Sequence, residues 1–129
     1  IYDRPINRFV ASFIGSPAMN LIDGTIENGK FEASSISVNG LRTDLAGKVT
    51  LGFRAEDATV VQTSGNASAP LYTLELLGDA TQVALRPGST TVSVCADKYF
   101  RKTIGETISI EVPPERCHLF DFETGQRLD

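Results

Sequence analysis

The sequence predicts an all-β domain preceded by one short helix. Three observations carry that reading. From Met19 onward the chain runs in apolar and β-branched stretches of four to eight residues, the length of strands. Turn dipeptides interrupt them at Asn28-Gly29, Asn39-Gly40, Gly65-Asn66, Gly78-Asp79 and Pro87-Gly88. So many short strands in 129 residues favour a closed or nearly closed barrel, because closure removes edges that would otherwise pair with other chains.

At the N-terminus, Asp3-Arg4-Pro5 combines a capping side chain with a proline near the first helical position, and Phe9, Val10, Phe13 and Ile14 recur at helical spacing. Gly15-Ser16-Pro17 then stops the helix. Residues 1–18 are read as a connecting helix and loop, and residues 19–129 as the barrel. Strands are expected at Met19 to Glu27, Lys30 to Val38, Lys48 to Arg54, Asp57 to Gln62, Leu71 to Leu77, Ala80 to Leu85, Thr91 to Ala96, Thr107 to Glu111, Arg116 to Phe122 and Arg127 to Leu128. Thr63 to Pro70 reads as the most linker-like loop.

Composition excludes several classes. The chain is 41% hydrophobic and 22% charged, which suits a globular domain, and no apolar run approaches the length that spans a bilayer. No basic leader precedes an apolar core, and the start on Ile1 suggests a fragment. Cys95 and Cys117 are too few for a disulfide framework and suit a reducing compartment, where the sequon Asn66-Ala67-Ser68 has no use. A net charge of -4 argues against nucleic acid. The basic and aromatic run Lys98-Tyr99-Phe100-Arg101-Lys102 reads as a solvated edge or turn whose rings cover core.

Two stretches imitate chemistry. Gly24 to Lys30 has the frame of a phosphate-binding loop, but Phe31 stands where the motif needs Ser or Thr, and alternation continues where it needs a helix. Asn28-Gly29 reads instead as a type I′ hairpin turn. Glu115 to Asp121, ERCHLFD, sets Cys117 beside the single histidine, His118. Val112-Pro113-Pro114 blocks a helix there, so the pair lies on a strand, where neighbours face opposite ways and cannot share a metal or a proton. Cys117, Leu119 and Asp121 fall on one face and His118, Phe120 and Phe122 on the other; Glu123-Thr124-Gly125 then turns the chain back. No acid pair and no Ser-His-Asp set stands out, so no catalytic, cofactor or metal residue is assigned.

Tyr2 to Asn20, YDRPINRFVASFIGSPAMN, resembles the segment that joins the nucleotide-binding and regulatory domains in ATPase subunits of maltose-type sugar ABC importers. Leu51 to Asp57 resembles the family's G-[IFV]-R-P-E-H, Leu76 to Thr81 its E-x-L-G-x-x-T, and Pro113 to Asp121 with Thr124-Gly125 and Arg127-Leu128 its terminal strand and hairpin. The matches come in family order along nearly the whole chain. Ala55 and Asp57 replace the family's proline and histidine, and Leu21 stands where the maltose subunit has phenylalanine on the face that a phosphotransferase regulator approaches.

The resemblance implies an OB-like regulatory barrel of the transport-associated type. Such a domain pairs with its twin across a two-fold axis, on the inner face of a bacterial membrane. ATP and magnesium would belong to the missing ATPase domain, which would dock on permease subunits. The junction or regulator-facing residues would be Arg4, Arg8, Phe9 and Leu21. The dimer contacts would be Gly52, Phe53, Arg54, Glu56, Asp57, Glu115, Arg116, His118 and Phe120. A rival reading is a small-ligand or oxyanion sensor at a subunit junction, using the Gly15-Ser16 or Gly88 to Thr91 loop; a free-standing enzyme is the weakest.

Overall fold

Turn chemistry and alternation set the strands of this computed structural model, which describes residues 19–33, 36–62, 65–87 and 91–128. β1 (Asn20–Glu27) turns at Asn28-Gly29 into β2 (Lys30–Glu32). Both turn residues have positive φ, 53° and 76°, as a type I′ turn requires, and Glu27 pairs with Lys30. The phosphate-loop frame is therefore a hairpin. β3 (Ser37–Val38) pairs with β2, so the expected strand Lys30 to Val38 is two short ones. β4 (Gly47–Phe53) pairs antiparallel with β1 from Gly47 opposite Ile26 to Phe53 opposite Asn20. A 3-10 turn (Ala55–Asp57) leads to β5 (Thr59–Val61).

β6 (Ala67–Leu77) starts four residues earlier than the sequence predicts, inside the supposed linker. Ala67 to Pro70 pair with β9 (Thr107–Glu111), and from Leu71 onward the same strand pairs with β7 (Ala80–Leu85), with a register shift in that ladder between Leu71 and Thr73. Pro70 lacks an N–H and small polar residues surround it, which is why the segment reads as loop. β8 (Val92–Asp97) completes the β6 to β8 meander. A second 3-10 turn (Pro114–Arg116) precedes β10 (His118–Asp121), and the expected strand at Arg127 reduces to one bridge between Phe120 and Arg127. The predicted helix and residues 1–18 lie outside the described residues.

The strands form two five-stranded antiparallel sheets, β10-β4-β1-β2-β3 and β5-β9-β6-β7-β8. They do not close into one barrel ladder, which corrects the closed form of the prediction. Only the bridge between Ile36 and Ala67 crosses among the described residues. Two asparagine side chains supply what the ladder omits. Asn20, 7% exposed on β1, donates from Nδ2 to the Ser93 carbonyl at 2.8 Å and accepts the Ser93 N–H on Oδ1 at 2.9 Å, so it binds the edge of β8 as a peptide group would. Asn66 donates from Nδ2 to the Ser37 carbonyl at 3.0 Å and accepts the Val112 N–H at 2.6 Å, linking β3 to the end of β9.

One core lies between the sheets. Phe31, Phe53, Leu51, Leu85 and Ile110 are all fully enclosed in it. A second, smaller cluster covers the opposite face of the first sheet, where Met19 and Phe120 are buried with Leu21 packed against them. Gly52 makes room for it: a Cβ there would lie 2.7 Å from Met19 Sδ and 2.9 Å from Phe120 Cε2.

Candidate functional site

Antiparallel pairing of β10 with β4 gathers most of the residues that the family motifs single out. His118 lies opposite Gly52, Leu119 opposite Leu51 and Phe120 opposite Thr50. The 3-10 turn after β4 and the one before β10 therefore emerge side by side. Neither motif alone could show this, since about 60 residues of chain separate them. Arg116 Nη1 stands 4.0 Å from Asp57 Oδ1 across the two turns, with the Arg116 side chain 65% exposed. An ion pair so exposed adds little to stability, about 0–1 kcal/mol. It does leave a charged rim on this end of the sheet.

The nine residues expected to pair with a twin domain divide sharply by burial. Glu56, Glu115 and Arg116 are exposed, and Asp57 and His118 are half-buried. Gly52, Phe53, Arg54 and Phe120 are buried inside the chain, where they shape the surface from beneath. Leu21 is half-buried against Met19 and Phe120. Arg4, Arg8 and Phe9 lie outside the described residues, as do the Gly15-Ser16 loop and Gly88 to Thr90 of the other loop.

Cys117 and His118 turn away from each other. The Cys117 thiol is buried in the main core and donates weakly to the Pro113 carbonyl at 3.6 Å. His118 Nδ1 lies 2.8 Å from Arg127 Nη2. A guanidinium can only donate, so Nδ1 accepts and the ring proton sits on Nε2. Sequence reading missed Arg127 as a partner. The signal for it was the turn that follows Asp121. Asp121 Oδ2 accepts the Thr124 N–H at 2.7 Å, Gly125 takes φ 79°, and the Leu128 N–H reaches the Leu119 carbonyl at 2.8 Å. That hairpin folds Arg127 back over β10.

Among the described residues no group of three His, Cys, Asp or Glu side chains is placed to hold a metal ion. No helix among them is long and apolar enough to cross a membrane.

The other cysteine borders a cleft of about 640 Å³ between β5, β8 and the start of β9. Burial, and then the charge of Glu56, raise the Cys95 thiol above its ordinary value of 9.0. The folded state therefore holds the thiol proton more tightly than the unfolded chain does. Its contribution to stability is fully present below about pH 9.0 and is lost as pH climbs through the higher folded value. Cys95→Ser should flatten the alkaline decline of urea midpoints above that pH; an unchanged decline would assign it to other groups.

Comparison with known proteins matches this geometry to one family. Residues 15–58, which contain β1 to β4 and the first 3-10 turn, match the MalK OB fold domain. The chain is 40% identical over 135 residues to the sn-glycerol-3-phosphate import ATP-binding protein UgpC of Escherichia coli O6:H1, covering 99% of this chain and 38% of that protein. UgpC of Salmonella paratyphi A is 40% identical over 136 residues with the same coverage. The chain thus spans 38% of the length of these relatives. Among solved structures, the cytoplasmic molybdate-binding protein ModG, in a molybdate-bound crystal form, superposes with a TM-score of 0.59 over 78% of this chain and 94% of that one. At 14% identity that likeness shows the fold alone. With the MalK model on its first sheet and 40% identity maintained from end to end, the chain belongs to the OB-fold regulatory domains of ABC importer ATP-binding subunits.

Proposed function

We propose that this domain pairs with a second copy of itself and thereby tethers two ATP-binding subunits of an importer, while offering a surface to regulators. The observation that supports the reading is the convergence of Glu56, Asp57, Glu115, Arg116 and His118 from two 3-10 turns and β10 onto one end of the first sheet. Carboxylates and a guanidinium side by side suit a two-fold contact, in which each patch meets its own copy and opposite charges can face each other.

The work of such a tether is mechanical. ATP and magnesium belong to a separate ATPase region, and the domain holds two of these regions near each other as they part and close. A regulator acts by preferring one spacing, since a ligand shifts an equilibrium only by its differential affinity for the two states. The transporter would sit on the inner face of a bacterial plasma membrane with its permease subunits, and its cargo would be a sugar, a polyol or a glycerol phosphate such as the relatives' names specify. The rival reading, a small-ligand or oxyanion sensor, has only the fold shared with ModG beside it.

Hydrogen exchange at low and high protein concentration tests the assigned surface. Protection should rise at Ala55–Asp57 and Pro114–His118 as concentration increases, and Arg116→Glu should abolish the rise. A rise confined to the β6–β7 hairpin, where Tyr72 and Leu76 are exposed, would overturn the assignment.

A further inference from the structure

The steps Asn28-Gly29 and Asn39-Gly40 carry the same local chemistry in different surroundings. Asparagine is a chemically labile residue, and before glycine it is at its most labile, because glycine has no Cβ to shield its own amide nitrogen. That nitrogen must swing round to the asparagine side chain before it can react. Whatever holds the peptide between the two residues therefore decides the rate.

In the turn between β1 and β2 the peptide is held. Asn28 has φ 53° and Gly29 φ 76°, and the pairing of Glu27 with Lys30 clamps both sides. A type I′ turn keeps ψ of its first central residue small and positive, which turns the Gly29 nitrogen away from the Asn28 side chain. Space is short as well. A Cβ on Gly29 would stand 2.6 Å from the Leu41 carbonyl oxygen, and the Gly29 carbonyl accepts the Leu41 N–H at 2.9 Å. Asn28 is exposed, but reaction there requires the hairpin to open.

Asn39 and Gly40 begin the connection between β3 and β4, residues 39–46, which contains no strand or helix. Both are exposed. The bonds that fix this connection start after them: the Leu41 N–H on Gly29, the Thr43 N–H on the Leu41 carbonyl at 3.1 Å, and the Leu45 N–H on Thr43 Oγ1 at 3.1 Å. Among the described residues no hydrogen bond engages the Asn39 side chain or the Gly40 N–H. A Cβ on Gly40 would meet Pro114 Cγ at 3.5 Å, an ordinary contact, so the peptide has room to turn. Segments with few backbone bonds open most readily.

We propose that Asn39 is a site of spontaneous deamidation and that Asn28 is protected from it by its turn. The Gly40 amide nitrogen loses its proton to hydroxide and attacks Asn39 Cγ. A C–N bond forms, the bond from Cγ to Nδ2 breaks, and Nδ2 takes a proton back from water and leaves as ammonia. Water then opens the cyclic imide at either carbonyl and yields aspartate or isoaspartate; nothing is oxidised or reduced. Either product adds a carboxylate to the polar hollow that Asn39 shares with Glu27, Lys30 and Glu32. Isoaspartate also lengthens the main chain just before the Leu41 N–H that binds the first turn. The site does not depend on whether two copies of the domain pair.

The test is ageing of the whole chain at mildly alkaline pH, followed by trypsin digestion and mass spectrometry. Cleavage after Lys30 and Arg42 releases residues 31–42, in which Asn39 is the one asparagine, and leaves Asn28 in the peptide that ends at Lys30. In the folded chain, conversion at Asn39 should outpace conversion at Asn28 by about tenfold or more, because Asn28 must first break the pairing of Glu27 with Lys30. In urea the two rates should converge, since both dipeptides are then free. An isoaspartate-specific carboxyl methyltransferase should label peptide 31–42 from labelled S-adenosylmethionine, and Asn39→Gln should abolish that label. Equal rates in the folded chain, faster conversion at Asn28, or an unchanged peptide 31–42 while the unfolded chain converts would overturn the proposal. Aspartate at position 39 without isoaspartate would mean direct hydrolysis and would overturn it too.

Discussion

Gly24→Ala is expected to destabilise the domain by about 3 kcal/mol, near the upper end for forcing one methyl group into a filled core. Gly24 lies where β1 crosses the ring of Phe31. A Cβ there would press on the Glu32 carbonyl and stand 2.6 Å from Phe31 Cζ and 2.9 Å from Cε1. The Phe31 side chain is fully enclosed and has no free direction in which to yield. Urea unfolding of Gly24→Ala in the wild-type and Phe31→Leu backgrounds measures the two obstacles separately. The loss should shrink in the Phe31→Leu background, which removes the ring, yet persist in part because the Glu32 carbonyl remains. An identical loss in both backgrounds would mean that the ring is not the obstacle.

Asn66→Ala should cost about as much, roughly 3 kcal/mol, by a different route. The side chain accepts from the Val112 N–H at 2.6 Å and donates to the Ser37 carbonyl at 3.0 Å. Val112 is 1% exposed, so its N–H would be left without water or protein to accept it. Asn66→Asp keeps the acceptor for Val112 but turns a second oxygen toward the Ser37 carbonyl, and it should recover only part of the loss. Urea midpoints of the two variants check this. A change of under about 0.5 kcal/mol in Asn66→Ala would remove Asn66 as a joint between the sheets.

These two residues mark what the sequence could and could not disclose. Local chemistry made the hairpins legible: Asn28-Gly29, Gly78-Asp79 and Glu123-Thr124-Gly125 each sit in turns where strand patterns break. The strand β9 runs over Thr107–Glu111 and β7 over Ala80–Leu85, the boundaries that the alternation predicts. Asn66 was visible as half of the turn dipeptide Gly65-Asn66 and as part of a sequon without a use, but not as a joint, because its partners lie 29 and 46 residues away. Asn20 joins Ser93 over a separation of 73 residues, and no local pattern encodes such a bond. The absence of full barrel closure follows from the same long-range contacts, since side chains replace the missing ladder.

The candidate surface was legible as a set of motifs and illegible as a surface. Alternation would expose every second residue of β4, yet Val49 to Phe53 are all buried, because the main core covers one face and Met19, Leu21 and Phe120 cover part of the other. Gly52, Phe53, Arg54 and Phe120 therefore lie under the surface that the five more accessible residues form. The pair Cys117 and His118 followed the alternation rule, with Cys117 and Leu119 in the main core and Phe120 in the second cluster.

The central claim is that this domain associates with its own copy, and sedimentation equilibrium of the chain over a wide range of concentrations tests it most directly. The account predicts a reversible monomer–dimer equilibrium that Arg116→Glu shifts toward monomer. A single species of 13.9 kDa at every concentration would contradict it.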